Sequence, residues 1–176
     1  MEGQYTTAEH HYIEGGDWRG VVNMYRGNEL WEDAYRVAKQ YGGAASCKQV
    51  AYLWAKTLGG DSAVKLLTRL NLLEACIEYA VDTTSFDFAF ELAKNLSEDK
   101  VSEIHLKHAM YMEDEGHFQS AEESFIKAGK PKEAVLMFIH QSDWPSAKRV
   151  AEEHDPESLV DVLIGQARLS FDQKVR

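Results

Sequence analysis

Apolar residues return along this chain at the three- and four-residue spacings of one helical face, in short blocks divided by polar turns. The sharpest block is an aromatic residue, then Ala three positions on and Ala four beyond that. It appears as Trp31/Ala34/Ala38, Phe86/Ala89/Ala93 and Trp144/Ala147/Ala151. Positions i, i+3 and i+7 share one side of a helix. A large residue beside small ones lets two helices approach closely and interlock. Blocks of this kind predict helices over 7–15, 18–27, 29–41, 46–58, 61–70, 72–81, 85–96, 101–115, 118–128, 131–141, 144–153 and 156–171. The connections are short, so consecutive helices are expected to lie antiparallel.

Helix-start signals support these spans. Asn71 with Glu74, Asp61, Ser85, Asp143, and Asp155 before Pro156 read as N-caps. Pro131, Pro145 and Pro156 suit first turns, where a missing N–H costs nothing. Gly15-Gly16, Gly42-Gly43 and Gly59-Gly60 suit helix C-termini. No Asn-Gly or Asp-Gly pair joins alternating apolar runs, so no hairpin of strands is predicted. Composition agrees: 19 Ala and 15 Leu stand against 12 Val and 6 Ile, a balance that favours helix. The fold class read from the sequence is all-α.

The pattern also repeats at long range. Gly16, Trp18, Val21 and Tyr25 recur 100 residues later as Gly116, Phe118, Ala121 and Phe125, and Ala34 recurs as Ala134. A run of Ala109, Gly116, Ala121, Phe125, Ala128 and then Pro131 resembles the tetratricopeptide repeat: a small residue in the first helix, Gly at the turn, and Ala, Phe and Ala in the second. His105 stands where that repeat usually carries Trp. The expectation is an α-solenoid of about five to six degenerate tetratricopeptide-like hairpins. It occupies 8–176 as one segment, with 1–7 as a disordered or added start. The structural repeat positions are Gly16, Trp18, Tyr25, Ala34, Gly116, Phe118, Ala121, Phe125, Ala128 and Ala134.

A longer resemblance is carried by GDWRGVVNMYRGNELWEDAYRVAK, KQVAYLWAKTLGG, SFDFAFELAK, HLKHAMYMEDEGHFQSAEESFIKAGKPKEAVLMFIH and VAEEHDP. These stretches resemble the helical-repeat region of the intraflagellar transport protein 172 family, large peripheral subunits of intraflagellar transport complex B. The resemblance covers roughly residues 8–174. It implies a solenoid piece cut at both ends from a larger protein with N-terminal β-propellers. It further implies a scaffold role in building transport trains, other transport subunits as partners, and a place at the cilium and its base on the cytoplasmic side. A solenoid segment of another propeller-plus-solenoid coat subunit is the nearest alternative.

Charge and candidate chemistry narrow the function. Lys plus Arg is 19 and Asp plus Glu is 29, a formal charge of −10. That balance speaks against nucleic acid or an anionic membrane and favours a basic protein partner. No apolar run is long enough for a transmembrane segment. Cys47 and Cys76 form neither a disulfide framework nor a redox pair, which suits a reducing compartment. His10 and His11 with Glu14 miss a closing ligand, and His105 with His108 offers two ligands where catalytic zinc needs three. Glu113-Asp114-Glu115 reads as a solvated turn, and Gly59-Gly60-Asp61-Ser62 lacks the features of a phosphate cradle. The sequence therefore predicts no catalytic residues, no metal and no cofactor. A peptide-clamping tetratricopeptide adaptor would need clustered Lys on its first helices, where Lys107 is nearly alone. Trp54 falls outside both repeat registers and is a candidate interface residue, with Leu159, Leu163 and Phe171 of the final helix. Exposed apolar ends of such a solenoid are expected to self-associate.

Overall fold

A computed structural model describes residues 2–176. The described residues are predominantly helical, with no strand among them. The helices are α1 (Glu2–Glu14), α2 (Trp18–Gly27), α3 (Trp31–Val37), α4 (Gly43–Leu58), α5 (Gly60–Arg69), α6 (Leu73–Asp82), α7 (Phe86–Ala93), α8 (Glu98–Asp114), α9 (Phe118–Lys127), α10 (Pro131–His140), α11 (Trp144–His154) and α12 (Leu159–Val175). A π-helical turn, Ala38–Gly42, joins α3 to α4, and a 3-10 turn, Pro156–Ser158, leads into α12. Within each unit most helices pack on a sequence neighbour, as α2 does on α3 and α8 on α9, and some also reach the next but one, as α10 does α12. This is the all-α solenoid class.

One turn geometry is reused. At Gly16, Glu29, Asn71, Thr84, Gly116, Gly129 and Ser142 the backbone is left-handed. Each of these N–H groups bonds the carbonyl three residues back, and the next N–H bonds the carbonyl five back. Examples are Gly116 to Glu113 and His117 to Met112, and Thr84 to Val81 and Ser85 to Ala80. That pair of bonds satisfies carbonyls left open at a helix end and reverses the chain. Glycine takes the conformation freely at Gly16 and Gly116. Glu29, Asn71, Thr84 and Ser142 take it against their Cβ.

The cap expectations at Asn71 and Asp61 are corrected here. Asn71 is the left-handed turn residue at φ 55 and not a cap, and Leu72 holds the N-cap position of α6. Asp61 lies inside α5, whose N-cap is Gly59. Asp143 caps α11 by accepting from the Ser146 N–H at 3.3 Å, and Asp17, not anticipated, caps α2 by accepting from the Gly20 N–H at 2.9 Å. Asp155 precedes a 3-10 turn and accepts a hydrogen bond from the Ser158 hydroxyl.

The chain's organisation is as follows. Residues 2–7 form the opening turns of α1, where Tyr5 packs against the first core. The chain forms two compact units, Met1–Leu92 and Ala93–Arg176. In the first, Val21, Val22, Tyr25, Ala34, Val37, Ala38, Cys47 and Val50 form a buried cluster under Trp18 and Trp31. Further along, Tyr52 meets Tyr79 and Phe88 edge-on, with centroids 4.7 and 5.4 Å away. In the second, Ala109, Ala121, Phe125, Ala134, Val135, Phe138, Ala147, Val150, Ala151 and Val162 form the core, with Phe118 and Trp144 against it.

Candidate interaction surface

The repeat residues build the scaffold and leave particular faces open. Gly16 and Gly116 are turn residues at φ 77 and 79. Ala34, Ala121 and Ala134 are fully buried, Tyr25, Phe125 and Ala128 nearly so. Trp18 and Phe118 are half-buried lids on the two clusters. The alanines, Tyr25 and Phe125 are therefore packed inside and present little to a partner.

Among the described residues, most of the exposed large apolar side chains lie on α12. Val162 is buried, and Gly165 brings the helix against Trp144 and Ile139. On the other side, Val160, Leu163, Ile164, Ala167 and Phe171 follow each other within helical reach. Val160, Leu163, Ile164 and Phe171 are exposed by 59, 51, 45 and 68%. Of the final-helix residues singled out in the sequence, Leu163 and Phe171 thus stand in the open, whereas Leu159 packs half-buried against the second core. Trp54 is half-buried on α4, one turn before the exposed Leu58.

A second feature is a cleft of about 690 Å³ between α1 and α3, lined by Tyr5, Glu9, Ile13, Tyr25, Arg36 and Tyr41 among others. Its floor is a polar network. The Tyr25 hydroxyl donates to Glu9 Oε2 at 2.5 Å, and Arg36 donates to both Glu9 oxygens at 3.1 and 2.9 Å. The Arg36 guanidinium holds the Glu9 carboxyl below its usual range, and burial first, then Glu9, pushes the Tyr25 phenol up to about 12. Arg36 also pairs with Asp33, so it is already engaged.

The candidate chemistry stays dispersed. His108 Nδ1 lies 2.7 Å from Ser124 Oγ, and burial lowers the pKa of His105, with Lys127 and His108 adding to the effect. No group of three or more His, Cys, Asp or Glu among the described residues is placed to hold a metal ion. Cys47 and Cys76 are free and buried, and burial pushes the Cys76 thiol up to about 11, which keeps it unreactive. No helix among the described residues is long and apolar enough to cross a membrane.

Comparison with known proteins agrees with this architecture. The family of tetratricopeptide-repeat domains from intraflagellar transport proteins 140 and 172 matches residues 3–162. The chain is 60% identical over 98% of its length to the intraflagellar transport protein 172 homolog of Danio rerio and 57% identical over the same share to that of Homo sapiens. It is 49% identical over 99% to intraflagellar transport protein 172 of Chlamydomonas reinhardtii. In each case it spans 10% of the relative's own length. With a repeat fold of matching kind and a match across nearly all its residues, this chain belongs to the tetratricopeptide-repeat domain family of intraflagellar transport proteins 140 and 172, as a region of the protein 172 type.

Proposed function

We propose that this chain is a non-catalytic scaffold segment of a ciliary intraflagellar transport subunit. It offers helical-repeat surface for assembling transport trains and attaching partners or cargo. The observation that carries this reading is the match to proteins named for intraflagellar transport, continuous over 98% of the chain. The open α12 stripe and the cleft between α1 and α3 supply surface of the kind assembly needs. The buried free thiols of Cys47 and Cys76 suit a reducing compartment at the cilium and its base. The partners are other transport subunits, and the formal charge of −10 favours basic ones.

Proximity labelling from the intact subunit, tagged within this region, tests the reading. Enrichment of other intraflagellar transport subunits is the expected result. Labelling confined to proteins outside the cilium overturns it.

The α12 stripe favours an additional reading, self-association. Val160, Ile164, Ala167 and Phe171 follow the spacing of a coiled-coil seam, and a second copy of α12 is an occupant of matching chemistry.

A further inference from the structure

The three copies of the aromatic-Ala-Ala pattern share more than their spacing. In α3 and the turn after it the run is Trp31-Glu32-Asp33-Ala34-Tyr35-Arg36-Val37-Ala38; in α7 it is Phe86-Asp87-Phe88-Ala89-Phe90-Glu91-Leu92-Ala93; in α11 it is Trp144-Pro145-Ser146-Ala147-Lys148-Arg149-Val150-Ala151. The fourth, seventh and eighth positions are buried in all three. The sixth is exposed and charged: Arg36, Glu91 and Arg149.

Each of these sixth residues reaches back to the helix two before its own. Arg36 of α3 grips Glu9 of α1, 27 residues upstream, at 3.1 and 2.9 Å. Arg149 of α11 grips Glu122 of α9, again 27 residues upstream, with both bonds at 2.8 Å. Glu91 of α7 accepts from the Gly60 backbone N–H at the start of α5, 31 residues upstream, at 2.5 Å. The sign of the charge follows its target. Where the earlier helix presents a carboxylate, the sixth residue is Arg, which binds it with two parallel bonds. Where the earlier helix presents its N-terminus, with open N–H groups and the positive end of the dipole, the sixth residue is Glu.

We propose that the sixth position of this pattern is a charge latch that fixes the stacking of alternate helices. Apolar packing holds neighbouring helices together, but it acts between adjacent elements and carries no directional bond to the next helix but one. A two-bond Arg–carboxylate pair supplies that bond. The carboxylates are also sheltered: the side chains of Glu122 and Glu9 are 10 and 18% exposed. A sheltered charge that loses its partner is strongly unfavourable, so the helices are held in the one offset that keeps each pair closed. In α3, α7 and α11 the buried positions of the pattern supply the core contact and the sixth position the bond to the next helix but one.

The test is a double-mutant cycle at Glu122 and Arg149 in the whole chain, using Glu122→Gln, Arg149→Met, both together, and the exchange of Glu122→Arg with Arg149→Glu. Hydrogen exchange of the α9 and α11 amides is read beside the urea midpoint. A latch predicts at least about ten-fold faster exchange in α9 and α11 for either single variant. It predicts a double variant no worse than the poorer single, and recovery of half or more of the midpoint shift in the exchanged pair. Additive single effects with no recovery overturn the proposal. A second measurement needs no variant. Slowly rotating, separately resolved guanidinium N–H signals from Arg36 and Arg149 are expected by nuclear magnetic resonance, and freely averaged signals overturn it.

Discussion

Gly42 lies so close to Trp18 that a Cβ built on it would come within 2.5 Å of the ring's Cη2, and equally near the Ser46 Cβ. Trp18 opens α2, and Gly42 closes the π-helical turn after α3. The missing side chain is therefore what lets the tryptophan lie over the first core. Gly165 does the same for Trp144 in the second unit, where a Cβ would stand 3.0 Å from Cζ3. Overfilling a packed contact costs about 1–3 kcal/mol. Gly42→Ala is expected to lower unfolding stability by that amount and to shift Trp18 fluorescence to the red. An unchanged urea midpoint and spectrum would show that the ring has room to move.

Ala121 is fully buried on α9 among Phe125, Ala134 and Phe138. Ala121→Trp forces a bulky ring between α9 and its neighbours and is expected to cost at least about 1–3 kcal/mol. Thermal unfolding monitored by circular dichroism checks this, and a midpoint equal to the parent's would mean that α9 does not face the core as described.

Thr84 is exposed and holds φ 61, a left-handed backbone for a β-branched residue. Such a conformation costs about 1–2 kcal/mol that glycine avoids. The side-chain bond to the Tyr79 carbonyl in this turn comes from Thr83, so it survives a change at Thr84. Thr84→Gly is expected to raise stability by about 1 kcal/mol, after the loss to glycine's greater freedom when unfolded. Denaturant unfolding measures it directly, and a lower midpoint contradicts the turn geometry.

The Glu9 network makes stability depend on pH at both ends. Glu9 titrates below its ordinary 4.5 because Arg36 binds its charged form. Its contribution is therefore complete above 4.5 and is lost as pH falls through the lower folded value. Tyr25 is raised from 10.0 to about 12 by burial and by Glu9, so its contribution is complete below the unfolded value and is lost as pH rises towards the folded one. Glu9→Gln is expected to flatten the acid limb of the midpoint-versus-pH curve relative to the parent. Parallel curves from neutral pH down through the acid limb would remove Glu9 from the account.

Self-association through α12 predicts that sedimentation coefficients rise with concentration, and that Leu163→Glu with Phe171→Glu abolishes the rise without changing helicity. Both side chains are more than half exposed, so these changes leave the core intact. A parent chain that stays monomeric at high concentration, or a variant that associates as before, excludes this occupant.

Period and composition by themselves determined the helices, their approximate spans and which side of most of them is buried. A 3.6-residue repeat places Trp31, Ala34 and Ala38, or Phe118, Ala121 and Phe125, on one face wherever the chain is helical, so this information is local and survives in the residue order. Turns were legible where glycine marks them, at Gly16 and Gly116. They were hidden at Glu29, Thr84 and Ser142, which disfavour the left-handed backbone they hold, and at Asn71, which tolerates it but equally suits an N-cap. Tertiary structure alone decided the partners. Nothing in the spacing of charges shows that Arg149 meets Glu122 or that Arg36 meets Glu9, because a contact 27 residues apart depends on how the intervening helix stacks. Trp18 over Gly42 and the division of α12 into a docked side and an open stripe were settled the same way, by which surfaces the other helices had already covered.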